Sequence, residues 1–80
     1  MVETRIAPRH RVSKAGTIEF VGGHPVDCVV RNLSLTGAAL ELSGPVKIPE
    51  NFMLVVPGDS LHLPCHIVWR QRYRIGVAFD

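Results

Sequence analysis

Several features are scarce in this 80-residue sequence, and each scarcity excludes a class of protein. The net charge is only +2 at neutral pH, which is too weak to hold duplex DNA by bulk electrostatics. The longest apolar run, residues 52–56, is far too short to cross a bilayer, so we expect no membrane insertion. The first residues carry no apolar stretch typical of a secretory signal, and this predicts a cytoplasmic protein.

Cysteine and histidine are also few. Cys28 and Cys65 both lie in apolar, strand-like runs, so we expect reduced core thiols, with a disulfide as the alternative. His62 and His66 are four residues apart on a predicted strand, which separates their Cα atoms by roughly 13 Å. That distance is too long for one shared metal ion, and Cys65 points to the opposite face. We therefore predict no metal site and no cofactor.

The usual signatures of catalysis are missing. Ser34 has no histidine near it in sequence, and no nucleophile stands with both a base and an orienting acid. No glycine-rich loop opens a helix, so hydrolysis of a nucleotide by a P-loop is excluded. These absences favour a protein that is not an enzyme.

Aromatic residues are few as well, and most of them fall on apolar strand faces. Trp69 continues the apolar face of its strand, so its period predicts a core residue. A small barrel that binds single-stranded nucleic acid needs exposed aromatic residues for base stacking. We therefore rank binding of nucleic acid by a small barrel of the OB type third among the possible functions. The five aromatic residues are Phe20, Phe52, Trp69, Tyr73 and Phe79.

Alternation of apolar and polar residues dominates the sequence after residue 15 and predicts half-buried strands. The clearest strand spans residues 61–70, and shorter ones follow the same period of two. Glycine and proline mark the turns: Gly22-Gly23 predicts a tight hairpin, and Pro57-Gly58-Asp59 separates the fourth and fifth strands. Pro64 inside a strand indicates an edge or a bulge, because proline donates no ladder hydrogen bond.

Six short strands, each with one apolar face, predict an all-β fold with little or no helix. Such strands close into a barrel or pack as a sandwich, and closure is favoured because it leaves fewer open edges. We expect a six-stranded antiparallel barrel over residues 15–80. Residues 1–14 show no period and are rich in arginine, so we expect a flexible basic N-terminal arm.

Two short polar motifs stand out. The first is Arg5-Ile6-Ala7-Pro8-Arg9, followed by His10 and Arg11. Arginine can donate two parallel hydrogen bonds to a phosphate or to the O6/N7 edge of guanine, and its flat face stacks on purines. Taken alone, however, this arm is more typical of a solvated basic tail than of a binding site, because charge runs are usually solvated.

The second motif runs from Asn32 to Gly37, where the second strand meets the third. Asn32 and Ser34 alternate with leucines, so their side chains lean to one face if the strand continues through them. Gly37 allows a close backbone approach or a positive φ. The alternative is a turn in which the Asn or Ser side chain caps a hairpin.

In this order and spacing, Arg-x-x-x-Arg and Asn-x-Ser-x-x-Gly resemble the signature of the PilZ domain family of bacterial receptors. The resemblance covers nearly the whole chain, since residues 64–70 and 75–79 are similar to the closing strands of the family. It implies a six-stranded antiparallel barrel that binds the second messenger cyclic di-GMP.

The resemblance also implies a role for each motif residue. Arg5 and Arg9 bind guanine edges and phosphates from the arm, whereas Asn32 and Ser34 hold a guanine and a nearby phosphate from the barrel. Gly37 shapes the bend between the strands. Three residues beside the motifs are additional candidates for ligand binding: His10, Arg11 and Arg31.

The function implied is that of a non-catalytic receptor in which cyclic di-GMP orders the N-terminal arm and so signals to an unidentified protein effector. Two departures from the family keep an alternative open. Thr4 stands where many members have a further arginine, and the sequence ends at Asp80 where many continue into a helix. The alternative is a PilZ-like adaptor that binds no nucleotide and acts through protein contacts.

Overall fold

The computed structural model describes residues 10–80, which form six strands and one short 3-10 turn. The turn, Pro57–Asp59, joins the fourth and fifth strands where the sequence predicts a turn. The strands are β1 (His10–Glu19), β2 (Val26–Leu33), β3 (Gly37–Leu42), β4 (Asn51–Val56), β5 (Leu61–Arg70) and β6 (Arg74–Phe79).

The six strands form a closed barrel in the order β1-β2-β3-β6-β5-β4, with every neighbouring pair antiparallel. Pairing of β1 with β4 closes the sheet, so every strand of the barrel has a paired neighbour on both sides. The predicted fold class is therefore confirmed. Because β3 pairs with β6, the end of the chain lies beside the β2–β3 hairpin.

The barrel interior is filled by one face of every strand, as the alternation predicts. Ile18, Leu40 and Leu54 are completely buried, and the thiols of Cys28 and Cys65 lie among the same side chains. Ile48, from the loop between β3 and β4, is also buried, and its carbonyl accepts a 2.8 Å hydrogen bond from Arg70 Nη1. This loop therefore adds an apolar side chain to the core.

Both cysteines are free thiols. Burial is the main cause that raises the pKa of each thiol to about 11, and the nearby Asp27 adds to the effect on Cys28. Thiols with such pKa values stay protonated at neutral pH, and protonated thiols are poor nucleophiles and poor metal ligands. No group of three or more His, Cys, Asp or Glu within residues 10–80 has a geometry suited to a metal ion. No helix in that range is long and apolar enough to cross a membrane.

Two boundaries differ from the sequence prediction. Residues 10–14, which we assigned to the N-terminal arm, belong to β1, where His10 pairs with Leu33 and Arg11 pairs with Asn32. The rest of the predicted arm, residues 1–9, lies outside the described residues. The β1–β2 connection is longer than the tight hairpin predicted from Gly22-Gly23, since six residues separate the strands. Gly22 has a φ of 82°, which glycine adopts without steric cost.

Trp69 is not a core residue, contrary to the prediction from its period. The pairing of β5 with β6 shifts register between Ile67 and Trp69, so the alternation breaks after Ile67. As a result Val68 and Trp69 are both exposed, and Trp69 keeps 36% of its accessible surface. The bulge considered for Pro64 is thus found later in β5, and Pro64 itself pairs regularly with Met53.

Candidate ligand-binding face

A single row of residues crosses the outside of the barrel over five strands. In register, Arg11 pairs with Asn32, Asn32 with Ala39, Ala39 with Gly76, and Gly76 with Trp69. The sequence neighbours of these residues, such as Leu40 and Ile75, point into the core, so the row itself faces outward. We call these five residues the outer row.

The centre of the outer row is a shallow floor of small residues. Ala39 and Gly76 have almost no side chain, and both are buried beneath the larger side chains around them. A β-carbon on Gly76 would lie 2.1 Å from the Trp69 indole nitrogen, which shows that the indole ring lies directly over this glycine. The row thus has a cation at one end, an amide beside it and a flat aromatic ring at the other end.

A cavity lined by three arginines opens beside the Asn32 end of the row. Arg11, Arg31 and Arg74 line it together with Val12 and Asn32, and its volume is about 480 Å³. We call it the arginine cavity. A register shift in β2 between Val30 and Asn32 brings the consecutive polar residues Arg31 and Asn32 to this side of the barrel.

One carboxylate lies close to the arginine cavity. Glu41 Oε1 accepts a 2.6 Å ion-pair hydrogen bond from Arg31 Nε, and a second Arg31 nitrogen is 3.4 Å from Ser13 Oγ. Glu41 also pairs in register with Arg74 on β6. The Nε of Arg74 is buried and has no hydrogen-bond partner among residues 10–80.

Ser34 lies in the turn between β2 and β3, not on a continued strand. Its hydroxyl accepts hydrogen bonds of 3.2 Å from the backbone N–H groups of Thr36 and Gly37, and its own N–H donates to the Gly37 carbonyl at 2.9 Å. The turn that we gave as the alternative role of this motif is therefore present. Because β2 ends at Leu33, Ser34 and Asn32 line different cavities.

Gly37 begins β3 where this strand meets β6. A β-carbon here would lie 2.2 Å from the carbonyl oxygen of Val77, which belongs to the paired strand. The φ of Gly37 is not positive, so close backbone approach is the feature that requires glycine at this position. Gly37 thereby allows the β2–β3 turn to lie against the end of β6.

Two cavities adjoin Ser34, and the larger is mostly apolar. His10 and Ser34 line one of about 500 Å³ with the apolar Val12, Leu33 and Leu35, and Leu35 is 88% exposed. Ser34 and Trp69 line the other, which measures about 200 Å³. Ser34 therefore lies between the start of β1 and the Trp69 end of the outer row.

The structure thus brings most of the predicted site residues onto one face. Asn32 lies in the outer row with Arg11, and Arg31 lines the arginine cavity with them. Ser34, Gly37 and His10 surround the β2–β3 turn, whereas Arg5 and Arg9 lie outside the described residues. Four residues of this face were missed from the sequence because they come from β3, β5 and β6: Ala39, Trp69, Arg74 and Gly76.

Comparison with known proteins places the chain in a family. A search of curated proteins finds no match. The family model of the PilZ domain matches residues 3–80, which is nearly the whole chain and includes both polar motifs. The chain therefore belongs to the PilZ domain family.

Proposed function

We propose that this protein is a non-catalytic receptor for cyclic di-GMP and that the ligand binds on the outer row and the turn beside it. PilZ domains generally bind cyclic di-GMP. The observation that carries the proposal for this chain is the outer row itself, in which the motif residue Asn32 lies between Arg11 and a floor that ends at Trp69.

The chemistry of the outer row matches the parts of a guanine dinucleotide. The Trp69 ring lies over Gly76 and keeps 36% of its accessible surface, so it offers a stacking surface for a flat base. Stacking of a base on an aromatic side chain contributes about 1–3 kcal/mol. Asn32 has both donors and acceptors for a guanine edge, and the Arg11 guanidinium suits a phosphate or the guanine O6/N7 edge.

The arm arginines complete the proposed site from the N-terminal side. His10 begins β1 and lines a cavity with Ser34, so the arm joins the barrel at this face. The Cα of Arg9 is one peptide, about 3.8 Å, from that of His10, and the Cα of Arg5 lies at most about 18 Å from it. Both guanidinium groups can therefore reach a ligand on the outer row, where we assign them guanine edges and phosphates.

Ser34 is proposed to contribute twice. Its oxygen holds the turn by accepting from Thr36 and Gly37, as the structure has it. Its O–H donates to the Gly37 carbonyl at 3.2 Å, and the Thr36 hydroxyl lies 3.3 Å from the Ser34 oxygen in a contact where either group can donate. Both are modest interactions. We assign this O–H to a ligand phosphate, because an ionised acceptor makes a stronger hydrogen bond than a neutral one.

The signal in this proposal is the ordering of the arm. When Arg5 and Arg9 bind the ligand, the N-terminal arm becomes fixed over the outer row. This changes the surface that a protein effector meets. No covalent step is required. A cytoplasmic location follows from the proposal, since the ligand is an intracellular second messenger.

Calorimetric titration with cyclic di-GMP tests the proposal. We expect saturable binding that GTP does not reproduce, and a loss of roughly tenfold or more in affinity for Arg9→Ala and Asn32→Ala, because each removes hydrogen bonds to a charged or polar ligand. Arg72→Ala is the matched control, since Arg72 lies against Tyr73 and lines none of the three cavities of this face.

Two results would contradict the receptor assignment. Unchanged affinity in Arg9→Ala and Asn32→Ala would mean that the motif residues do not bind the ligand. No binding by the folded wild-type domain would favour the adaptor function, and a stable protein partner should then be sought.

A further inference from the structure

The arginine cavity holds more positive charge than the two family motifs account for. Arg11, Arg31 and Arg74 come from three different strands, β1, β2 and β6, and line one surface cavity beside Asn32. Three of the nine lysine and arginine residues of the chain therefore line this one cavity, although the net charge of the chain is only +2. Guanidinium groups that converge on one open cavity form a site for an anion with several acceptor oxygens.

The charge balance within the cavity is incomplete. Glu41 is the carboxylate next to it, and its 2.6 Å contact is with Arg31. Arg74 is the register partner of Glu41 on the neighbouring strand, yet its buried Nε has no partner within residues 10–80. Within residues 10–80, Glu41 is therefore ion-paired with Arg31 and leaves the Nε of its register partner Arg74 without a partner, whereas buried guanidinium N–H groups are normally hydrogen-bonded.

We propose that Arg11, Arg31 and Arg74 form a subsite for a phosphodiester of the ligand, and that Glu41 is a built-in competitor which this phosphate must displace from Arg31. The inference rests on the proposed function, because the phosphodiester is that of cyclic di-GMP bound on the adjacent outer row. It adds Arg74 to the ligand-binding residues and assigns Glu41 a role in setting the affinity.

The strength of the Glu41–Arg31 pair suits this role. Both side chains are partly exposed, at 44% for Arg31 and 39% for Glu41, and exposed ion pairs shift an equilibrium by at most about fivefold. A phosphate can therefore displace the carboxylate, at a cost in affinity of that size. The carboxylate in turn keeps Arg31 oriented in the free protein and lowers its attraction for unrelated anions.

Two substitutions separate the competitor from the subsite. Glu41→Gln keeps the shape of the side chain but removes its charge, so we expect cyclic di-GMP to bind about two- to fivefold more tightly. Arg74→Gln removes a donor to the phosphate, so we expect binding roughly tenfold weaker or worse. Glu50→Gln and Lys47→Gln make the same charge changes in or beside the β3–β4 loop, away from the arginine cavity, and should leave affinity within about twofold.

The experiment is a calorimetric titration of the whole chain and these four variants with cyclic di-GMP, and separately with GMP and inorganic phosphate. Thermal unfolding first establishes that each variant is folded; should Arg74→Gln fail to fold, Glu41→Gln decides the outcome alone. Tighter binding of cyclic di-GMP by Glu41→Gln but not by Glu50→Gln supports the competitor.

Three outcomes would overturn the inference. If Glu41→Gln binds as the wild type does while the wild type still binds cyclic di-GMP, the subsite is wrong but the receptor function stands. If inorganic phosphate gains as much affinity from Glu41→Gln as cyclic di-GMP does, the cavity is a general anion site. If the wild type binds no cyclic di-GMP at all, the inference and the receptor function both fail.

Discussion

Gly37 shows how a single residue determines the position of the functional turn. A methyl group on this residue would lie 2.2 Å from a backbone carbonyl of β6, and backbone cannot move aside as a side chain can. We expect Gly37→Ala to lower the free energy of unfolding by about 1–3 kcal/mol, the usual cost of overpacking. Urea denaturation measures this change, with Gly44→Ala as the control because open space surrounds Gly44. Equal midpoints for the two variants would contradict the close approach.

At the residue scale, features that depend on local chemistry were predictable from the sequence. The motif around Asn32 and Ser34 predicted both a site and a turn, and the turn is confirmed by the hydrogen bonds of the Ser34 hydroxyl. For Gly37 the sequence left two possibilities, a positive φ or a close approach, because the residue type alone fits both. Only the pairing of β3 with β6 distinguishes them.

At the scale of the strand, β5 carries a feature that its sequence does not reveal. The alternation from Leu61 to Ile67 predicts the buried face correctly, but one bulge then moves Trp69 from the interior to the surface. A bulge needs one extra residue opposite a partner strand, so it depends on how β5 and β6 pair and not on β5 alone. This is why the alternation in β5 misplaced Trp69.

Trp69 provides a direct test of this strand geometry, because it is the one tryptophan in the chain. An indole that is 36% exposed should be quenched readily by acrylamide, whereas a core indole should be protected. We expect cyclic di-GMP to reduce this quenching, since a stacked base covers the ring. GTP serves as the control ligand. Protection of Trp69 in the free protein would contradict the bulge, and unchanged quenching on ligand binding would contradict the stacking.

At the scale of the whole molecule, the pairing of β3 with β6 assembles the outer row. The number of strands, their antiparallel course and the shared core were predictable from alternation and turn residues. The outer row was not, because the order β1-β2-β3-β6-β5-β4 places residues from the second and third strands beside residues more than thirty positions later. No local pattern in the sequence encodes that adjacency, so Ala39, Gly76 and Arg74 could not be recognised as part of the face.

The strand order also leaves one strand, β4, outside the face that we assign to the ligand. Met53 and Val55 point outward from β4, which is not among the strands of the outer row. A ligand held on the row should therefore leave the β4 surface unaffected. The claim that cyclic di-GMP binds on the outer row therefore predicts changes on one side of the barrel and none on the β4 side.

The most direct test of that claim is a two-dimensional NMR titration of the ¹⁵N-labelled domain with cyclic di-GMP. We predict chemical-shift changes at the amides of Asn32, Ala39 and Gly76 and at the indole N–H of Trp69, with little change at Met53 and Val55. GMP at the same concentration should not reproduce the pattern. Shifts centred on β4, or none at all from the folded domain, would contradict the account that cyclic di-GMP binds on the outer row.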